Sequence, residues 1–168
     1  DIRKVGVVGI GLMGSGIAQV AATKNFDTVV VDVSAEVIAK GMERIRASLS
    51  RLLESYHQTS GKSGITPDQE NGIVARIKPS TERSDLLECD IIIEAVLEDE
   101  SAKKQLISSL AQSGYKKLLV SNTSSISVTR LASAYSSPEN FMGMHFMNPV
   151  PVQPGCELIR GLLTSNQT

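Results

Sequence analysis

The sequence predicts an α/β fold built on one doubly wound, mostly parallel sheet with helices on both faces, and three observations predict it. Short runs that are almost uniformly apolar, among them "KVGVVGI" and "CDIIIEAV", read as strands buried on both sides. They alternate with stretches whose apolar residues recur at helical spacing. A glycine loop joins the first apolar run to the first helical stretch.

The elements follow in order. Lys4 to Ile10 form a first strand, and Leu12 to about Lys24 a helix. "DTVVVD" returns to a strand ending at Asp32. Ser34 caps a long helix in which Ile38, Met42, Ile45, Leu49 and Leu52 recur at steps of four and three, with Arg44, Arg46 and Arg51 on a basic outer face. Tyr56 to Gly64 read as a polar loop carrying His57 at the surface, after which Thr66 and Pro67 suit the N-cap and first position of a helix to about Ala75. "IKPS" makes a short strand and Cys89 to Val96 a stronger one. A helix from Glu100 to Ala111, a strand from Leu118 to Ser121 and a helix from Ser127 to about Ala134 come next. "FMGMHF" is a last parallel strand and "CELIRG" an edge strand, with right-handed crossovers throughout.

At 168 residues the chain suits a single domain. Its 17 basic and 18 acidic residues nearly cancel without forming like-charge blocks, which argues against a nucleic acid or a membrane surface and for a small-molecule partner. There is no apolar run of bilayer length and no signal-peptide pattern, so a soluble, cytoplasmic protein is expected, with the mitochondrial matrix or a peroxisome as alternatives in a eukaryote. Cys89 and Cys156 lack metal-ligand spacing and are expected to be reduced packing residues, with no metal site. Both ends look cut, so residues 1–168 are expected to be one domain of a longer, two-domain chain.

Gly9, Gly11 and Gly14 fit G-x-G-x-x-G between a strand and a helix, the context that distinguishes a dinucleotide loop from a glycine-rich packing seam. The first glycine permits the tight turn, the second lets backbone approach a pyrophosphate, and the third lets helix pack on strand. Asp32, at the end of the second strand, suits the ribose hydroxyls of an adenosine and would repel a 2′-phosphate. Val33, Ser34 and Ala35 add no arginine, so NAD is preferred over NADP in this Rossmann-type arrangement.

In such sheets the ligand lies beyond the carboxyl ends of the strands. Three further strand ends should line the site: Glu94 and Glu98, Asn122 and Ser124, and His145 and Asn148. Oxidising a secondary alcohol needs a base for the hydroxyl proton, and imidazole titrates near neutral pH. His145 lies where that base is needed. Glu157, on the far side of the proline turn, is placed to hold the imidazole in one tautomer.

"GIGLMGSGIAQ", "EAVLE", "SNTSSISVTRLAS" and "GMHFMNPVP" together resemble the NAD-binding domain of the L-3-hydroxyacyl-CoA dehydrogenase family, closest to its single-function 3-hydroxybutyryl-CoA members, from Lys4 to about Ser165. "HFMNPVP" separates this family from the fold-related 3-hydroxyisobutyrate type, which relies on a lysine. The resemblance implies oxidation of a (3S)-3-hydroxyacyl-CoA to the 3-oxoacyl-CoA, and the reverse, in fatty acid or butanoate metabolism. It makes His145 the base, Glu157 its partner and Ser124 the hydrogen-bond donor to the substrate oxygen. The cofactor contacts expected are Gly9, Gly11, Leu12, Met13, Gly14 and Asp32 in the first half, and Ala95, Glu98, Lys103, Asn122 and Ser124 in the second. Glu98 and Lys103 among them resemble residues near the nicotinamide ribose. Ser48, Ser124 and Asn148 are the expected substrate contacts, Ser48 matching a position that touches coenzyme A. Many relatives carry a lysine for the coenzyme A phosphates where this chain has Ser55, with Arg51 one turn earlier as a substitute.

Relatives also have an all-helical second domain that closes over the acyl chain and makes most of a homodimer interface. Without it, the chain is expected to bind NAD and to turn over poorly or not at all. Two competing readings differ in kind. One is a non-catalytic NAD-binding or crystallin-like structural protein, which would not need His145, Glu157 and Ser124 together. The other is an enzyme of the same fold acting on a free hydroxy acid.

Overall fold

A computed structural model describes residues 1–168. Its strands are β1 (Lys4–Val8), β2 (Asp27–Val31), β3 (Ile77–Ser80), β4 (Ile91–Glu94), β5 (Leu118–Ser121), β6 (Phe141–Phe146) and β7 (Cys156–Arg160). The helices are α1 (Leu12–Thr23), α2 (Ala35–Gln58), α3 (Pro67–Ala75), α4 (Glu100–Gln112) and α5 (Val128–Ala132). The strands form one sheet in the order β3-β2-β1-β4-β5-β6-β7. Every pair is parallel except β6 with β7.

The β-branched runs form these strands because both faces are covered. Val5, Val7, Val30, Ile91, Ile93 and Val120 pack under α1, α2 and α3 through Ile17, Ile38, Ile45, Leu49 and Ile73. Val29, Val31, Ile92, Leu119 and Phe141 pack under α4 and α5 through Leu106, Ile107, Leu110 and Leu131. Each fully buried aliphatic side chain contributes about 1.5–3 kcal/mol by leaving water.

Helix starts carry the expected chemistry. Ser34 accepts from Val37 N, Asp99 from Ala102 N and Ser127 from Arg130 N, while Thr66 and Gln69 form a capping box ahead of α3.

Three expectations need correction. Helix α2 runs on through Tyr56 and His57 to Gln58, so His57 belongs to its last turn; the chain leaves the helix only near Ser60 and Gly61, where φ is 52° and 85°. Strand β4 begins at Ile91 because a 3-10 turn at Arg83–Leu86 takes up the preceding chain, with Cys89 N bonding Leu86 O. Cys89 is a buried packing residue, but Cys156 lies on the edge strand β7, whose residues are all exposed, and is a surface thiol. No helix is long and apolar enough to cross a membrane.

Candidate active site

The glycine loop is built as its spacing predicts. Gly9 has φ +89°, and a Cβ there would lie 2.6 Å from the carbonyl oxygen of Ala95. A Cβ on Gly14 would lie 1.7 Å from Gly9 O, so this position must be bare for α1 to sit on β1. Gly11 has nothing within 4 Å of its Cβ position and offers α1 no side-chain cap. The first N–H groups of α1 have no side-chain cap and stand at the positive end of the helix dipole, a cradle for a pyrophosphate.

Asp32 is tied to this loop: its carboxylate accepts from Ile10 N and Val33 N, each at 2.7 Å. The remaining lone pairs suit a ribose diol. Gly9 and Asp32 line a cavity of about 490 Å³ with Val33, Thr81, Arg83 and Gln105. The last three were missed in the sequence. Thr81 and Arg83 were findable, because they follow β3, the neighbour of β2. Arg83 donates to Ser109 Oγ at 3.2 Å, which turns its guanidinium toward α4.

A second cavity, of about 330 Å³, gathers most of the other expected residues: Met13, Ala95, Glu98, Asn122, Ser124, His145 and Asn148. They come from the carboxyl ends of β4, β5 and β6 and the start of α1, which parallel pairing brings to one edge of the sheet. Asn122 bridges two of those ends, donating N–H to Glu94 O at 2.8 Å and accepting Phe146 N–H at 2.9 Å. A third cavity, on the other side of His145, is lined by Thr123, Ser124, Ser125, His145, Glu157 and Arg160. His145 and Ser124 belong to both.

Antiparallel pairing puts His145 directly opposite Glu157. Nδ1 of the imidazole and Oε2 of the carboxylate are 2.9 Å apart. An ionised carboxylate only accepts, so this contact selects the tautomer with its proton on Nδ1 and leaves Nε2 as the acceptor nitrogen.

Glu98 organises the loop after β5. It accepts from Thr123 Oγ1 at 2.5 Å, Ser124 N at 2.9 Å and Ser125 N at 3.1 Å, and pairs with Lys103 at 3.3 Å. Partial burial opposes its ionisation, but these donors and the ammonium outweigh it and hold the carboxyl down to about 2. Ser124 Oγ itself makes only a 3.4 Å contact with Glu98 and remains exposed, available to a substrate oxygen.

Two expected contacts are placed differently. Lys103 is 1% exposed, between Glu94 at 2.6 Å and Glu98 at 3.3 Å. It stands behind the cavity wall and reaches the cavity through Glu98. Ser48 is half-buried on α2 and lines neither cavity around His145. Leu12 is 64% exposed at the mouth of the glycine loop. Ser55 bonds Ser63 at 2.8 Å, closing the turn after α2.

The glycine cradle, the acid at the end of β2 and the strand-end cavity define a dinucleotide-binding domain that carries a polar reaction site. Residues 4–168 match the family described as 3-hydroxyacyl-CoA dehydrogenase, NAD binding domain, and the chain belongs to it; its cofactor is NAD. It is 42% identical to a 3-hydroxybutyryl-CoA dehydrogenase of Bradyrhizobium diazoefficiens, over 99% of this chain and 55% of that protein. It is 38% identical to a fatty acid oxidation complex subunit alpha of Acinetobacter baylyi, over 99% of this chain and 22% of that one. The crystal structure of (S)-3-hydroxybutyryl-CoA dehydrogenase from Ralstonia eutropha superposes with a TM-score of 0.91 at 41% identity, covering 99% of this chain and 57% of that one. The chain thus spans about half the length of the single-function relatives it matches.

Proposed function

We propose that the protein to which this domain belongs is an NAD-dependent dehydrogenase interconverting (3S)-3-hydroxyacyl-CoA and 3-oxoacyl-CoA thioesters in fatty acid or butanoate metabolism. The observation that carries the reading is the His145–Glu157 pair, 2.9 Å apart, on the same cavity wall as Ser124 and beside the cofactor cradle.

In the oxidising direction Nε2 of His145 removes the hydroxyl proton from the substrate. Glu157 stabilises the imidazolium that forms and keeps the ring from turning. Ser124 hydrogen-bonds the substrate oxygen as it becomes a carbonyl. In reverse, His145 returns the proton. Gly11, the first turn of α1 and Asp32 would hold NAD, which would supply the hydride acceptor. We place the protein in the cytoplasm, as a homodimer formed through a helical domain beyond this one.

The test is a steady-state assay of the full-length protein with acetoacetyl-CoA and NADH. Turnover of the thioester with none of free acetoacetate supports the reading. Turnover of the free acid alone, or none of either while NADH binds, would overturn it.

A further inference from the structure

Only two charged side chains are buried in the whole protein, Glu94 at 0% and Lys103 at 1% exposure, and they touch each other at 2.6 Å. A buried ion pair is poor value for stability, since an apolar pair of the same volume serves as well or better. This one lies directly beneath the reaction site.

Its contacts close into a ring. Glu94 Oε1 accepts from Lys103 Nζ and, at 2.8 Å, from Val96 N. Lys103 passes on to Glu98 at 3.3 Å, and Glu98 accepts from Thr123 Oγ1, Ser124 N and Ser125 N. In the other direction Glu94 Oε2 accepts from Ser121 Oγ, which in turn accepts from Thr123 N at 3.3 Å. Both routes from Glu94 therefore end on the 123–125 loop. One runs through charge, the other through the Ser121 hydroxyl at the end of β5. Thr123 and Ser121 are themselves buried.

We propose that Glu94 is a positioning residue: it anchors this ring, the ring fixes Glu98, and Glu98 fixes Ser124 opposite His145. The proposal rests on the reading of Ser124 as the substrate-oxygen contact. Low-dielectric surroundings strengthen the bonds among Glu94, Lys103 and Ser121 and make a missing member costly, so this buried end can hold Glu98 and the exposed Ser124 and Ser125 in place. Lys103 is the cation that lets two carboxylates share so small a space.

The experiment replaces Glu94→Gln, which keeps size and an acceptor oxygen but removes the charge that holds Lys103. Amide exchange is followed by NMR in the 168-residue chain, and kinetics in the full-length protein. The Ser124 and Ser125 amides are expected to exchange ~10-fold faster or more, while those of Ile92 and Leu119 in the sheet centre keep their rates. In the full-length protein kcat should fall ~10-fold or more with the KM for NADH nearly unchanged. Ser121→Ala cuts only the hydroxyl route, leaves the ion pair intact, and should show the same pattern more weakly. It serves if the first variant does not fold. Unchanged exchange at Ser124 and Ser125 in the variants, or a uniform rise across the sheet, would overturn the positioning role. Faster loop exchange with unchanged kcat would instead overturn the role of Ser124 in catalysis.

Discussion

His145 and Glu157 are register partners in the antiparallel β6–β7 pair, and the 2.9 Å contact between their side chains follows from that register. The intervening chain, residues 146–156 with their prolines, serves to turn one strand back onto the other. His145→Ala in the full-length protein should lower kcat by ~10²–10⁴-fold, with NADH affinity by calorimetry unchanged. Near-normal turnover would remove the base assignment. Glu157→Gln should keep the imidazole in place but lose the imidazolium's counter-charge, and fall between the two.

The glycines of the cradle should separate folding from binding. Gly14→Ala forces a Cβ against Gly9 O and should cost about 1–3 kcal/mol or more in thermal or denaturant unfolding. Gly11→Ala meets open space and should leave stability within ~0.5 kcal/mol, yet weaken NADH binding ~10-fold or more by intruding where the cofactor backbone approaches. Equal NADH affinity in Gly11→Ala and the native chain would contradict the cradle.

Asp32 accepts from the loop and lines one cavity with Gly9, where the proposed reading puts the adenosine. Asp32→Asn should weaken NADH binding and narrow the gap between NADH and NADPH, because the charge that repels a 2′-phosphate is gone. An unchanged ratio of the two dissociation constants would show that the discrimination lies elsewhere.

Glu98 ties stability to acid. Its folded pKa of about 2 lies below the ordinary 4.5, so its contribution is complete above the ordinary value and is lost as pH falls toward 2. The native chain should therefore exceed Glu98→Gln in melting temperature by most above pH 5, with the gap closing as pH is lowered. A gap that is constant with pH would mean that the carboxylate's charge does not matter.

The two thiols should react differently. Burial pushes Cys89 up to about 11, whereas Cys156 lies exposed on β7, its thiol raised only by partial desolvation and the Glu157 charge. A thiol reagent at pH 8 should modify one cysteine in the native chain and both after unfolding. Cys156→Ser should abolish the native reaction.

Much of this fold could be read before any coordinates because its strands are buried on both faces. Runs such as Ile91–Ile93 and Val29–Val31 have no polar side to confuse their period, and Gly9 and Gly14 are needed by backbone geometry alone. The site residues were legible where a single strand end carries them, as at Asn122, His145 and Asn148. The end of α2 was not, because Tyr56 and His57 are tolerated in a helix and only positive φ stops it. Nor was the Glu94 ring, whose partners lie 9 and 27 positions away on different elements. Lys103 was expected beside the nicotinamide ribose, and its burial between two carboxylates could not be read from the chain because lysines are almost never fully buried.

Strand β7 has a hydrogen-bonded neighbour on one side only, and every one of its residues is exposed. The cradle for NAD sits at the middle of the sheet, where β1 is flanked by β2 and β4. The two halves of the function are therefore unequally durable. Gentle warming or dilute denaturant frays a border before it melts a centre, so the histidine loses its orienting acid while the cofactor is still held. On the proposed reading, such stress would cost this domain its proton transfer before its cofactor.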